Sequence, residues 1–100
     1  MLLYEKKKNT LTVKLRGELD HSVAAGVRAE LDELILDPGV RRLVFDLNGL
    51  EFMDSSGIAL ILRAQQRMCL LDGSVLVCHV PEQAKRVLDA AGIRRLVTIR

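Results

Sequence analysis

The chain has 100 residues, of which 49% are hydrophobic, and its formal net charge is +2. This length suits one compact domain with a single core and is too short for two. Aromatic residues are one Tyr and two Phe, and the basic residues are scattered among acidic ones, so a nucleic-acid-binding groove is poorly supported. We therefore predict one domain over residues 1–100 without direct nucleic-acid contacts.

The sequence predicts neither a membrane-spanning helix nor a metal site. Its longest uninterrupted apolar run, Ile58 to Leu62, is far short of the ~20 residues that a bilayer span needs. Cys69 and Cys78 lack Cys-x-x-Cys or Cys/His ligand spacing and lie in hydrophobic segments, which favours reduced core thiols. His21 and His79 are isolated. We expect a cytoplasmic protein with no membrane insertion, no metal and no cofactor.

The chain begins with a predicted hairpin. Leu11–Leu15 alternates apolar and polar residues, which predicts a half-buried strand, and Lys8-Asn9-Thr10 is the turn that joins it to a strand over Leu3–Lys7. A helix follows, begun by a cap at Asp20 or Ser22. Its inward side consists of apolar residues at helical spacing: Val23, Val27, Leu31, Leu34 and Ile35.

The middle of the chain predicts a buried strand and a second helix. Asp37-Pro38-Gly39 ends the first helix, and the nearly continuous apolar character of Leu43–Leu47 predicts a central strand covered on both faces. Asn48-Gly49 is expected to turn the chain out of this strand. The second helix runs from about Ser56 to Leu71, where Asp72-Gly73 ends it.

The last third predicts a strand, a helix and a final strand. Ser74–His79 has the composition of a buried strand, and Pro81 is preorganised for the first turn of a third helix. Gly92 suits the left-handed residue after that helix, and Leu96–Ile99 is the last predicted strand. The resulting order requires crossover helices between parallel strands. We predict an α/β domain with a mixed, mostly parallel sheet.

One stretch of the sequence, Phe52 to Leu60, combines an acidic residue and two hydroxyls at the start of the apolar second helix. Helix N-termini have unpaired N–H groups and a partial positive charge, so a serine there is well placed to hold a phosphate. Ser55 or Ser56 is therefore a candidate switch. Asp, Ser and Gly are also ordinary N-terminal capping residues, so helix capping is the alternative interpretation.

Four stretches resemble the STAS domain family, and within it the bacterial anti-sigma factor antagonists. They are Leu15–Asp20 with Gly-Glu-Leu-Asp, Leu43–Leu47, Phe52–Gly57 with Asp-Ser-Ser-Gly, and Cys78–Ile93. The resemblance covers nearly the whole chain, and the third stretch is its most specific part. It implies a single STAS-like α/β domain that regulates a sigma factor, in sporulation or a stress response, by exchanging partners.

The resemblance also implies the site residues. Ser55 matches the serine that a combined anti-sigma factor and serine kinase phosphorylates, a modification that a serine phosphatase would reverse. Ser56 is then interpreted as a capping hydroxyl. Asp20 and the loop with Asp54 both follow the carboxyl ends of predicted strands, so we expect them on one edge of the sheet. The expected partner-binding residues are Asp20, Asp54, Ser55, Ser56 and Gly57, although Asp20 is equally suited to cap the first helix.

An enzyme is the weakest interpretation. Ser55 is not in a Gly-x-Ser-x-Gly sequence, His79 is interpreted as structural, and no glycine-rich phosphate loop is present. We expect no catalytic residues, and ATP and Mg²⁺ would belong to the partner kinase. An alternative function is compatible with the same fold, because STAS domains also serve as accessory subunits of membrane transport complexes or stress-signalling assemblies.

Overall fold

Five strands and three α-helices alternate along the chain after an initial hairpin, in a computed structural model that describes residues 1–100. The hairpin and first helix are β1 (Leu2–Lys7), β2 (Thr10–Leu19) and α1 (His21–Ile35). They are followed by β3 (Arg42–Met53), α2 (Ser55–Leu70), β4 (Ser74–Cys78), α3 (Glu82–Ala90), a 3₁₀ turn (Ile93–Arg95) and β5 (Thr98–Ile99). None of the helices combines the length and the apolar character that a membrane span requires.

The strands form one sheet in the order β1-β2-β3-β4-β5. β1 pairs with β2 in antiparallel fashion, and the other neighbours are parallel. The predicted α/β class with a mixed, mostly parallel sheet is therefore confirmed. Each helix connects a strand to its parallel neighbour in the same direction across the sheet, and right-handed crossovers then place all three helices on one face.

One face of the sheet is buried under these helices and the other is not. The buried strand residues occupy alternate positions and join a single cluster of 23 buried hydrophobic residues. The intervening side chains keep partial exposure, among them Thr12, Val44, Asp46, Leu76 and Cys78. The expectation that β3 is covered on both faces is thus wrong. Every helix crosses to the next strand in the same direction across the sheet, so all three helices lie on one face and none covers the other.

β3 also continues beyond the predicted turn at Asn48-Gly49. The register passes from Lys14 opposite Asp46 to Arg16 opposite Gly49, and it shifts again between Gly17 and Glu18. β3 therefore contains two extra residues in bulges and stays in the sheet as far as Met53. A Cβ on Gly49 would lie 2.8 Å from Cγ of Arg16. The glycine therefore permits close approach to β2 within a strand instead of a turn out of it.

Two further expectations need correction. The last strand is shorter than Leu96–Ile99, because the carbonyl of Ile93 accepts the N–H groups of Leu96 and Val97 and holds them in a turn. Gly92 has the predicted left-handed conformation, with φ 65°. Neither cysteine is the expected core thiol: Cys69 is exposed on the outer side of α2, and Cys78 is partly exposed on the sheet face that the helices leave uncovered. Both cysteines are free.

Candidate functional site

The N-termini of α1 and α2 lie side by side at the carboxyl ends of β2 and β3. Leu19 and Met53 are register partners at the ends of these parallel strands, and the N–H of Asp54 donates to the carbonyl of Leu19 at 3.3 Å. Asp20 and Asp54, the residues that follow the two strands, therefore meet at one edge of the sheet. We call the surface formed by Asp20, Asp54, Ser55 and Ser56 the N-terminal rim.

Asp20 caps α1. Its Oδ1 accepts the N–H groups of Ser22 at 3.0 Å and Val23 at 3.2 Å, and also the hydroxyl of Ser22 at 2.7 Å. The hydrogen bond from the Ser22 side chain, aided by the two backbone donors, lowers the pKa of the Asp20 carboxyl below its ordinary value. The capping role that the sequence left open for Asp20 is therefore present in the structure.

Asp54 connects the two helices through one carboxylate. Its Oδ1 accepts the N–H of Ser56 at 2.8 Å and caps α2, while its Oδ2 accepts the N–H of His21, the first residue of α1, at 3.2 Å. The interpretation of Ser56 as the capping hydroxyl is wrong, because the side chain that accepts a helix N–H group here is that of Asp54. The role of His21 could not be predicted from the sequence, because its contribution is a main-chain N–H group, which almost any residue supplies.

Ser55 is the first residue of α2, and its side chain is exposed. Gly57, which is expected among the partner-binding residues, lies beneath the N-terminal rim and is buried, so it is not available for direct contact with a partner. A Cβ on Gly57 would lie 2.7 Å from Cγ of Met53 and 3.1 Å from Cδ2 of Leu19, so only glycine lets the first turn of α2 sit this close to the ends of β2 and β3. Gly57 thereby sets the position of Ser55 from below.

A side chain from a third helix supports the end of β3. Gln83 of α3 accepts the N–H of Met53 at its Oε1 and donates from Nε2 to the carbonyl of the same residue, both at 2.8 Å. This paired contact satisfies the last main-chain groups of β3 directly before Asp54. Nothing in the sequence marks Gln83 for this task, because a polar residue in an amphipathic helix is ordinarily exposed.

A shallow cleft of about 210 Å³ separates α1 and α2 next to the N-terminal rim. It is lined in part by Ser56 and His21 at one end and by Arg28 and Arg63 along its length. Both arginines are exposed, and Arg63 donates to Asp32 at 3.0 Å. The N-terminal rim and the adjoining cleft together therefore combine carboxylates, hydroxyls and guanidinium groups, which suits contact with a polar protein surface.

The family model of the STAS domain matches residues 2–100, and the chain belongs to the STAS domain family. Among its relatives, an anti-sigma F factor antagonist from Paenibacillus polymyxa is 36% identical over 95 residues, which are 95% of this chain and 81% of that protein. An anti-sigma F factor antagonist from Lysinibacillus sphaericus is 29% identical over 86 residues, covering 86% and 74% of the two chains.

Solved structures of the same family share the fold. The anti-sigma factor antagonist SpoIIAA in its unphosphorylated form matches all of this chain and 88% of its own, with a TM-score of 0.87 and 24% identity. The phosphorylated form of the Bacillus cell fate determinant SpoIIAA matches with a TM-score of 0.78 at 24% identity, over 100% and 91% of the two chains. What these structures share with this chain is the main-chain fold.

Proposed function

We propose that this protein is an anti-sigma factor antagonist. Its unphosphorylated form binds an anti-sigma factor that is also a serine kinase, and this binding frees a sigma factor. Phosphorylation of Ser55 by that kinase switches the binding off, and a serine phosphatase restores it. The observation that carries the proposal is the exposed Ser55 at the start of α2, within the N-terminal rim, in a chain 36% identical to a protein named as such an antagonist.

The switch follows from charge. A phosphate on Ser55 adds about −1.5 to −2 charges at neutral pH. Asp54 already takes the N–H groups of Ser56 and His21, so the added charge faces outward, beside a carboxylate. The positive end of α2 tolerates it within this protein, whereas a docked partner would have to bury an uncompensated dianion. Binding is then lost while the fold persists.

The partner surface comprises Asp20, Asp54, Ser55 and Ser56, with Gly57 supporting it from below. The same two carboxylates cap helices, so their side chains are held in place before any partner arrives. A preordered surface loses less conformational entropy on binding than a mobile one. The protein itself supplies a phosphate acceptor and a docking surface, and we expect it to catalyse no ester or nucleotide hydrolysis.

The decisive experiment compares Ser55→Asp and Ser55→Ala with the parent protein. Titration calorimetry with the cognate anti-sigma kinase should show Ser55→Asp binding at least about tenfold more weakly, a difference of about 1.4 kcal/mol, while Ser55→Ala binds as the parent does. Thermal melts should place both variants within about 1 kcal/mol of the parent, because an aspartate suits the first turn of a helix.

Incubation with the kinase and ATP, followed by peptide mass spectrometry, locates the phosphate. We expect one phosphate on Ser55, none in Ser55→Ala and full modification of the matched variant Ser56→Ala. Phosphate on Ser56 alone would contradict the assignment of the acceptor. Undiminished affinity of a well-folded Ser55→Asp would contradict the electrostatic switch.

A further inference from the structure

Three side chains with metal-binding chemistry converge on the sheet face that the helices leave uncovered. Asp46 of β3 and Cys78 of β4 are register partners on neighbouring strands, so their side chains project from the same face. His79 follows directly, and its positive φ of 54° directs the imidazole back toward the pair. Histidine is among the residues that adopt this left-handed conformation more readily than most.

Two of the three separations between the donor atoms, those made by Nδ1 of His79, match the ligand spacing of a tetrahedral zinc ion. Nδ1 of His79 lies 3.1 Å from Oδ1 of Asp46 and 3.6 Å from Sγ of Cys78, and the three ligand atoms all lie within 4.8 Å of one another. Zinc bonds of about 2.3 Å to sulfur and about 2.0 Å to nitrogen or oxygen place tetrahedral S and N ligands about 3.5 Å apart and N and O ligands about 3.3 Å apart. The three residues are already close to that arrangement.

The donor set favours zinc over the hard cations. Magnesium and calcium prefer all-oxygen ligands, whereas a thiolate, an imidazole and a carboxylate are the three protein ligand types that zinc uses. The Asp46 carboxylate is also oriented by the main chain, because its Oδ1 accepts the N–H of Asn48 at 3.0 Å. Such outer contacts hold a ligand in place.

Some of the charges around the cluster favour the binding of a cation, and others oppose it. Lys14 is the register partner of Asp46 on β2, and Arg100 lies near enough to affect Cys78; both cations oppose a bound metal ion. Burial raises the pKa of the Cys78 thiol, and the charge of Asp46 raises it further while Arg100 lowers it. The side-chain contact of Asp46 is with Nδ1 of His79, at 3.1 Å, and Asp46 forms no ion pair with Lys14. When a metal ion binds, the Cys78 thiol releases its proton to solvent, and the carboxylate and the resulting thiolate together supply two negative charges to the divalent ion.

We propose that Asp46, Cys78 and His79 form a binding site for one zinc ion, with a fourth coordination position left to water or an external ligand. The separation of these residues along the chain matches no ligand motif, so the site exists only through the pairing of β3 with β4. It uses none of the residues of the N-terminal rim, and its success or failure is independent of the proposed function.

The proposal is tested on the reduced protein after removal of metal. One titration adds Zn²⁺ in competition with a chromophoric chelator, and a second adds Co²⁺ as a spectroscopic probe. We expect one equivalent of Zn²⁺, and with Co²⁺ a thiolate charge-transfer band together with the visible bands of a four-coordinate ion. Cys78→Ser and His79→Asn should each bind about a hundredfold more weakly or worse, whereas the matched control Cys69→Ser binds as the parent does. Asparagine is chosen at position 79 because it tolerates positive φ.

Three results would overturn the proposal. They are the absence of stoichiometric Zn²⁺ binding by the parent, undiminished Zn²⁺ binding by each of the single variants Cys78→Ser and His79→Asn, and loss of Zn²⁺ binding in Cys69→Ser. Melts without metal show whether each variant is folded. Should Cys78→Ser fail to fold, His79→Asn decides alone, because the exposed His79 side chain is dispensable for the core. Binding of the anti-sigma partner by His79→Asn should equal that of the parent.

Discussion

At the scale of single residues, two aspartates hold the N-terminal rim together. Asp20 accepts three hydrogen bonds at the start of α1, and Asp54 divides its two oxygens between α2 and the first N–H of α1. Each carboxylate satisfies helix N–H groups that would otherwise lack partners, and its negative charge suits the positive end of a helix. The same groups are then available, already ordered, to a partner.

The lowered pKa of Asp20 predicts a pH dependence of stability. The folded-state pKa lies below the ordinary 3.8, so the ionised form stabilises the fold fully above that value, and this contribution is lost as the pH falls through the folded pKa. We expect the stability advantage of the parent over Asp20→Asn to shrink as the pH falls from 7 to below about 4. Urea denaturation of both proteins across this range measures it.

Asp37 also has a lowered pKa, because of the hydrogen bonds from Lys6 and from the N–H of Gly39. It is present in both proteins, so its contribution cancels in the comparison. A difference between parent and Asp20→Asn that stays constant or grows on acidification would show that the capping hydrogen bonds of Asp20 do not favour its ionised form.

At the scale of elements, the placement of α2 depends on the missing side chain of Gly57. The first turn of the helix lies against Met53 and Leu19, both fully buried, and there is no free volume for a methyl group. From the other side, Gln83 of α3 holds the main chain of Met53. Two helices thus clamp the end of β3, and this positions Ser55 where β3 passes into α2.

We predict that Gly57→Ala destabilises the protein by about 1–3 kcal/mol, because the new Cβ overpacks against Met53. Gly26→Ala is the matched control: Gly26 lies in α1 and is exposed, and a Cβ added there would meet no other atom within 4 Å. There alanine should stabilise by about 0.5–1 kcal/mol through its higher helix propensity. Urea unfolding of the two variants should therefore shift in opposite directions, and a neutral Gly57→Ala would contradict the close packing.

At the scale of the whole molecule, a single core joins the helices to the sheet. The 23 buried hydrophobic residues form one cluster between the helices and one face of the sheet, and no buried polar or charged residue interrupts it. The opposite face is partly open and contains the Asp46, Cys78 and His79 cluster. Chemistry on that face is therefore separated from the N-terminal rim by the organisation of the sheet.

We predict that residues 1–100 unfold as one cooperative unit. A single shared core of this kind gives two-state behaviour in a domain of this size. Differential scanning calorimetry should give equal calorimetric and van't Hoff enthalpies, and far-UV circular dichroism should follow the same transition. Two separate transitions, or an early loss of helix signal, would contradict a single domain.

The sequence by itself determined the order of the elements, the α/β class and the location of the Asp-Ser-Ser-Gly motif at a helix start. Periodicity and capping are local, so they can be recognised within a few neighbouring residues. The tertiary structure alone decided which face of the sheet is covered, that Asp54 reaches His21, that Gln83 clamps Met53, and that Asp46 meets Cys78 and His79. These contacts join residues about thirty or more positions apart, and strand order and register, which no short stretch of sequence encodes, bring them together.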